Sequence, residues 1–337
     1  MSCKEEPAHV LITGAAGQIG YIISTWIASG ALYGERKIVL HLFDIPVAQK
    51  KLDALVMELT DCAFETLAGI IPTTDPEVAF KDIDCAFMVA SVPMKKGMKR
   101  VDLLEANAII FKNSGEWLSK WAKPTCKILV IGNPDNTNAL ITQMNCKNIP
   151  KENFHSLSQL DMNRAISEIA TKLGVETTKV HGVYVWGNHA DTMVADLTHA
   201  TFERDGKEIP ILSVIDKEYA ENEFPDIIQK RGFVVMAARG NSSAASPTKA
   251  AIQHMKAWLF GTKEGEVLSM GIPVPENEYG IQSGINFSFP CTVDKNGVVH
   301  IVKGLKINDW LRERLKITEN ELLNEKEIAI QALKDKN

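Results

Sequence analysis

Hydrophobic and polar positions alternate between two periods along the first half of the chain. His9-Val10-Leu11-Ile12-Thr13 is an apolar run of strand length. Gly14-Ala15-Ala16-Gly17 interrupts it, and Ile19, Ile22, Ile23, Trp26 and Ile27 then recur at helical spacing. A second apolar run, Ile38 to Phe43, ends in Asp44, and Leu52, Leu55, Val56 and Leu59 give the next segment one apolar helical face. Ile83–Ala90 and Lys127–Gly132 predict two more buried strands, with a helix from Asp102 to Trp121 between them. Continuous apolar strands alternating with helices predict βαβ units and a parallel sheet covered on both faces.

The second half is less regular. The pattern predicts helices over Asp161–Leu173, Thr248–Phe260 and Thr318–Leu333, with Gly174 closing the first. A short strand runs from Val183 to Trp186. Residues Ile272 to Val302 carry period-2 stretches with a hairpin turn at Asp294-Lys295-Asn296-Gly297. The fold class expected is α/β: a Rossmann doubly wound parallel sheet in residues 1–155, followed by an α+β catalytic domain in residues 156–337.

Composition narrows the function. The chain has 337 residues, 45% hydrophobic and 23% charged, enough for two packed cores. A net charge of −5 gives no footprint for nucleic acid or an anionic membrane. Pro7 to Gly34 carries no formal charge, but five glycines and several polar residues interrupt it, and Glu5 and Glu6 precede it where a signal peptide would be basic. The six cysteines form no CxxC pair and no His pair has metal-ligand spacing, so reduced thiols and no metal site are expected.

The turn Gly14-Ala15-Ala16-Gly17-Gln18-Ile19-Gly20 follows a strand and opens a helix, where backbone N–H groups and the helix dipole can hold a pyrophosphate. Asp44 ends the next strand, 24 residues beyond Gly20. A carboxylate there can accept bonds from adenine-ribose hydroxyls and would repel a 2′-phosphate, which favours NAD over NADP. Asp161 and Arg164 lie three apart on one helix face, and His189 follows the Val183–Trp186 strand. An Asp can fix the tautomer of a His that moves a proton, and an Arg can bind a carboxylate bidentately. Proton and hydride together interconvert a carbonyl and an alcohol.

Gly14-Ala15-Ala16-Gly17-Gln18-Ile19, Met57-Glu58-Leu59, Ile131-Gly132-Asn133-Pro134, Asp161-Met162-Asn163-Arg164 and Trp186-Gly187-Asn188-His189 resemble the lactate/malate dehydrogenase superfamily. Val267-Leu268-Ser269-Met270-Gly271 and Tyr279-Gly280 are similar to the cytosolic malate dehydrogenases within it. The resemblance runs through nearly the whole chain. It implies that His189 is the proton donor and acceptor with Asp161 as its partner, and that Arg164 clamps the substrate's C1 carboxylate. Arg100, on a mobile loop, would polarise the carbonyl. Asn133 would bond the substrate oxygen, and Asn107 and Ile131-Gly132-Asn133 would line the nicotinamide side. Ser114 stands where the cytosolic malate enzymes carry Gln.

The resemblance also has a departure. Malate dehydrogenases of this type carry an Arg at the position of Met94, and that Arg pairs with the second carboxylate of oxaloacetate. Met94 suits a methyl group instead. The sequence thus looks like a lactate dehydrogenase built on a malate dehydrogenase scaffold. The alternative is a malate dehydrogenase in which Lys95 or Lys96 replaces the missing Arg. A further alternative, a non-catalytic NAD-binding protein, is disfavoured by the complete set of Asp161, Arg164, His189 and Arg100. A cytoplasmic homodimer is the assembly and location that the resemblance implies.

Overall fold

The computed structural model describes residues 6–92 and 100–335, and its chain divides into two compact units. The first holds the residues up to Ser156, with Ala244–Lys256 and the segment from Glu325 onward. It is built from β1 (Ala8–Thr13), α1 (Gln18–Ala28), β2 (Ile38–Phe43), α2 (Gln49–Asp61), β3 (Leu67–Thr73), α3 (Pro76–Phe80), β4 (Cys85–Met88), α4 (Arg100–Trp121), β5 (Lys127–Val130), α5 (Asp135–Met144) and β6 (Phe154–Ser156).

These six strands lie in the order β3-β2-β1-β4-β5-β6, all parallel. The chain order reverses between β1 and β4, and ligands of such sheets bind beyond the carboxyl ends of the strands at that point. The register aligns those ends: Thr13 pairs with Phe43 on one side and with Met88 on the other. Leu11, Ala86, Ile128, Val130, Phe111 and Phe154 are fully or almost fully buried in one cluster. This burial on both faces is why these strands read as unbroken apolar runs.

Two segments from beyond residue 156 fold with this unit. Ala329, Ile330 and Leu333 pack into the same cluster, and His254 is hydrogen-bonded to His155 across 3.0 Å. Terminal strands and helices need such partners because neither buries its apolar face alone.

The second unit covers Leu157–Ser243 and Ala257–Asn324. Its elements are α6 (Gln159–Leu173), β7 (Val180–His181), β8 (Tyr184–Trp186), β9 (Val194–Asp196), β10 (Thr201–Arg204), β11 (Lys207–Pro210) and α7 (Phe224–Arg239), then β12 (Leu268–Pro273), β13 (Asn286–Val293) and β14 (Val299–Ile301). Helices α8 (Ala245–Phe260) and α9 (Asp309–Asp335) each have residues in both units. Strands β12, β13 and β14 are antiparallel, as are β8 and β9. The core of α6 and α7 contains Ala165, Ile169, Val183, Val185, Phe202 and Phe224. The unit is therefore α+β, as the sequence predicts. Among the described residues no helix is long and apolar enough to cross a membrane.

Candidate active site

The glycine-rich turn leaves β1 at the carboxyl edge of the parallel sheet. Gly17 is the N-cap of α1; it contributes no side-chain cap, and the first turn of the helix holds no acidic residue. The amides of that turn and the positive end of the dipole are thus offered to an outside anion. The turn is tight: a Cβ on Gly20 would lie 2.3 Å from the Gly14 carbonyl oxygen. The Ala15 N–H donates to Phe43 O at 3.2 Å and the Gly17 N–H to Gly14 O at 3.0 Å. Gly17 and Gln18 are exposed, Ile19 half-buried.

Asp44 stands beside this turn. One carboxylate oxygen accepts the Ala16 N–H at 3.0 Å and the other the Ile45 N–H at 2.8 Å. Each oxygen of a carboxylate has a second lone pair, so the group can still take hydroxyl donors. An uncapped helix N-terminus with a carboxylate beyond the next strand fits the pyrophosphate and ribose of NAD.

The same unit contains the remaining first-half residues. Asn107 is fully buried, accepts the Val92 N–H at 2.8 Å, and donates to Val92 O at 3.2 Å and Leu103 O at 3.0 Å. Its amide braces the chain just before residue 93. The Gly132 carbonyl accepts Asn138 Nδ2 at 2.7 Å, which orients the Ile131-Gly132-Asn133 segment, and Asn133 is exposed. Ser114 donates to Ile110 O of its own helix at 2.9 Å. Met94, Lys95 and Lys96 lie outside the described residues, and so does the side chain of Arg100 at the start of α4.

The second unit brings Asp161, Arg164 and His189 together. Helix α6 places Asp161 in its first turn and Arg164 one turn on. His189 stands in the connection between β8 and β9. Asp161 is completely buried; one of its oxygens lies 2.5 Å from His189 Nδ1 and the other 3.1 Å from Arg164 Nη1. A buried carboxylate is tolerable only with such partners. An ionised Asp accepts, so it favours the tautomer with the hydrogen on His189 Nδ1, which leaves Nε2 available for proton exchange. The Arg164 guanidinium has five N–H donors and spends one group of them on Asp161, which leaves chemistry for a carboxylate ligand.

Sequence reasoning missed two supports, one in each unit. Arg231 on α7 pairs with Glu168 at 2.5 Å, one turn of α6 beyond Arg164. Asn138 on α5 is the other. Neither belongs to a chemical motif; the one available signal was Glu168 at i+4 from Arg164 on the same face. Among the described residues no group of three His, Cys, Asp or Glu side chains is placed to hold a metal.

A family model described as the lactate/malate dehydrogenase NAD binding domain matches residues 8–155. A second, the alpha/beta C-terminal domain of the same enzymes, matches residues 158–332. The chain belongs to the lactate/malate dehydrogenase family. It is an NAD-dependent oxidoreductase acting on 2-hydroxy acids. The cytoplasmic malate dehydrogenase of Taenia solium is 48% identical over 330 residues, 97% of this chain and 99% of that protein. The structure of Trichomonas vaginalis lactate dehydrogenase with NADH and oxamate has 62% identity and a TM-score of 0.95, over 97% of this chain and 99% of that one. Malate dehydrogenase of Naegleria fowleri has 36% identity and a TM-score of 0.92, over 97% and 99%. The lactate and malate branches of the family are thus both represented among its relatives.

Proposed function

We propose that the protein is an L-lactate dehydrogenase, reducing pyruvate with NADH, on a scaffold shared with the malate dehydrogenases. Met94 carries this reading. It occupies the position where the malate enzymes that the sequence resembles have an Arg for the second carboxylate. The 62% identity to a lactate dehydrogenase supports it. The cytoplasmic malate dehydrogenases at 48% support the second reading, in which Lys95 or Lys96 meets that carboxylate. Rates of NADH oxidation with pyruvate and with oxaloacetate test the choice: pyruvate should have the higher kcat/KM.

In this reading the division of labour follows the two halves of the chain. Residues 1–155 bind NAD, with Gly14–Gly20 at the pyrophosphate, Asp44 at the ribose, and Asn107 and Ile131-Gly132-Asn133 on the nicotinamide side. NAD supplies or takes the hydride. Residues 156–337 handle the substrate: Arg164 holds the C1 carboxylate, and His189, oriented by Asp161, gives the carbonyl oxygen its proton. Arg100 polarises that carbonyl and Asn133 bonds the same oxygen.

Asp44 sets the dinucleotide. Its oxygens face ribose hydroxyls favourably and a 2′-phosphate unfavourably, since opposed like charges cost several kcal/mol and each 1.4 kcal/mol is about tenfold. NADH should therefore be strongly preferred over NADPH, and Asp44→Ser should narrow the preference by roughly ten- to a hundredfold. Equal kcat/KM for the two cofactors in the unmodified protein would contradict this role.

We propose that the protein is cytoplasmic, as the malate dehydrogenases of Taenia solium and Gallus gallus are named, and that it is a homodimer. Helices α1 and α2 expose Tyr21, Trp26 and Met57, large apolar side chains of the kind that protein interfaces cover. Sedimentation equilibrium should return about twice the chain mass; a monomer at micromolar concentration would refute the assembly.

A further inference from the structure

The connection that carries His189 is fixed from a second direction, by helix α9. Gly187 has φ +91°, and a Cβ there would lie 2.4 Å from Thr318 Oγ1, so the helix approaches the end of β8 as closely as a glycine permits. The Asn188 N–H donates to Thr318 Oγ1 at 3.1 Å. The Asn188 side-chain amide donates to Glu321 Oε2 at 3.2 Å and to Thr192 Oγ1 at 2.8 Å. The Thr192 hydroxyl donates in turn to the same Glu321 oxygen. Thr318 and Glu321 are three apart and share one face of α9. Asn188 and Thr318 are almost completely buried.

We propose that Thr318 and Glu321 are positioning residues for proton transfer: they hold the residues on both sides of His189, while Asp161 holds only its ring. The inference rests on the reading of His189 as the proton donor and acceptor. A ring tethered at Nδ1 still moves with its backbone. Pinning Asn188 and Thr192 removes that freedom and fixes where Nε2 meets the substrate oxygen. Bonds to a charged acceptor are about twice as strong as neutral ones, which suits Glu321 for the task. A misplacement of about 1 Å costs up to about a hundredfold in rate.

The test compares deleting variants with conservative ones. Glu321→Ala, Thr192→Val and Thr318→Val should each lower kcat for oxo-acid reduction by about 10- to 100-fold, with NADH affinity by fluorescence titration unchanged. Glu321→Gln keeps a side-chain oxygen that can accept from both Asn188 and Thr192, and Thr318→Ser keeps the hydroxyl. Both should retain most turnover. Thr192→Val serves where Glu321→Ala does not fold, since it cuts the network without emptying the carboxylate's place. Normal kcat in the deleting variants overturns the proposal. So does a loss shared by all five together with NADH binding, which would mark these residues as structural glue. His189→Asn separates the two readings: if it turns over normally, the role of His189 fails; if it is inactive while Glu321→Ala and Thr192→Val are normal, the clamp alone fails.

Discussion

His189→Asn is expected to remove nearly all turnover while NADH binding stays intact. A positioned general acid or base contributes about 10²- to 10⁴-fold, and a carboxamide cannot exchange a proton near neutral pH. The substitution should leave the fold in place. Asp161, completely buried, keeps its 3.1 Å pair with Arg164 when the imidazole is lost, so no carboxylate is left uncompensated. The glycine-rich turn and Asp44 belong to the other unit and do not depend on the imidazole. Steady-state kcat with pyruvate and oxaloacetate, alongside NADH fluorescence titration, separates the two effects. Wild-type turnover in His189→Asn would mean that another group moves the proton.

The fold was most legible where apolar runs were unbroken. Strand β2 has the bounds the pattern predicts, and α4 differs by two residues at its start. Those segments are buried on both faces or along one stripe, so the period is written in the residues themselves. Strand β3 gave no such signal. It is an edge strand only partly buried, with Gly69 and Pro72 inside it, and propensity argues against a strand there. Helix α5 was hidden for the opposite reason. Asp135, Asn136, Thr137 and Asn138 are all buried polar residues at its start, a composition that reads as a loop. The side chains of Asn136, Thr137 and Asn138 donate to Ser156, Glu325 and the Gly132 carbonyl. Glu325 lies 188 residues beyond Thr137 and Ser156 lies 20 beyond Asn136, so neither partner is visible in the local sequence.

The site divides in the same way. Residues in local motifs were visible: the Gly14–Gly20 turn, Asp161 with Arg164, and His189 at a strand end. That Asp161 reaches His189, 28 positions on, is a contact no spacing rule predicts. Thr318 and Glu321 were unreadable for a further reason. They sit on an amphipathic terminal helix where Thr and Glu are ordinary surface residues, and only the approach of α9 to Gly187 gives them a partner.

Met94→Arg is expected to invert the substrate order. Pyruvate and oxaloacetate share the C1 carboxylate, so in the proposed reading Arg164 would serve both and would not discriminate. They differ at C3, a methyl in one and a carboxymethyl-derived charge in the other. Leaving that second carboxylate buried without a partner would cost about 3–5 kcal/mol. Met94 offers it none, whereas a thioether side chain packs well against a methyl. An Arg at 94 would bind the carboxylate bidentately and, with pyruvate, would be a buried cation without a partner. Both effects act on the ratio of the two kcat/KM values, at about 1.4 kcal/mol per tenfold. A swing of a few kcal/mol moves that ratio by roughly two orders of magnitude or more. The measurement is kcat/KM for each substrate before and after the substitution. If the unmodified protein already prefers oxaloacetate, and Lys95→Ala or Lys96→Ala abolishes the preference, a lysine reads the second carboxylate and the protein is a malate dehydrogenase.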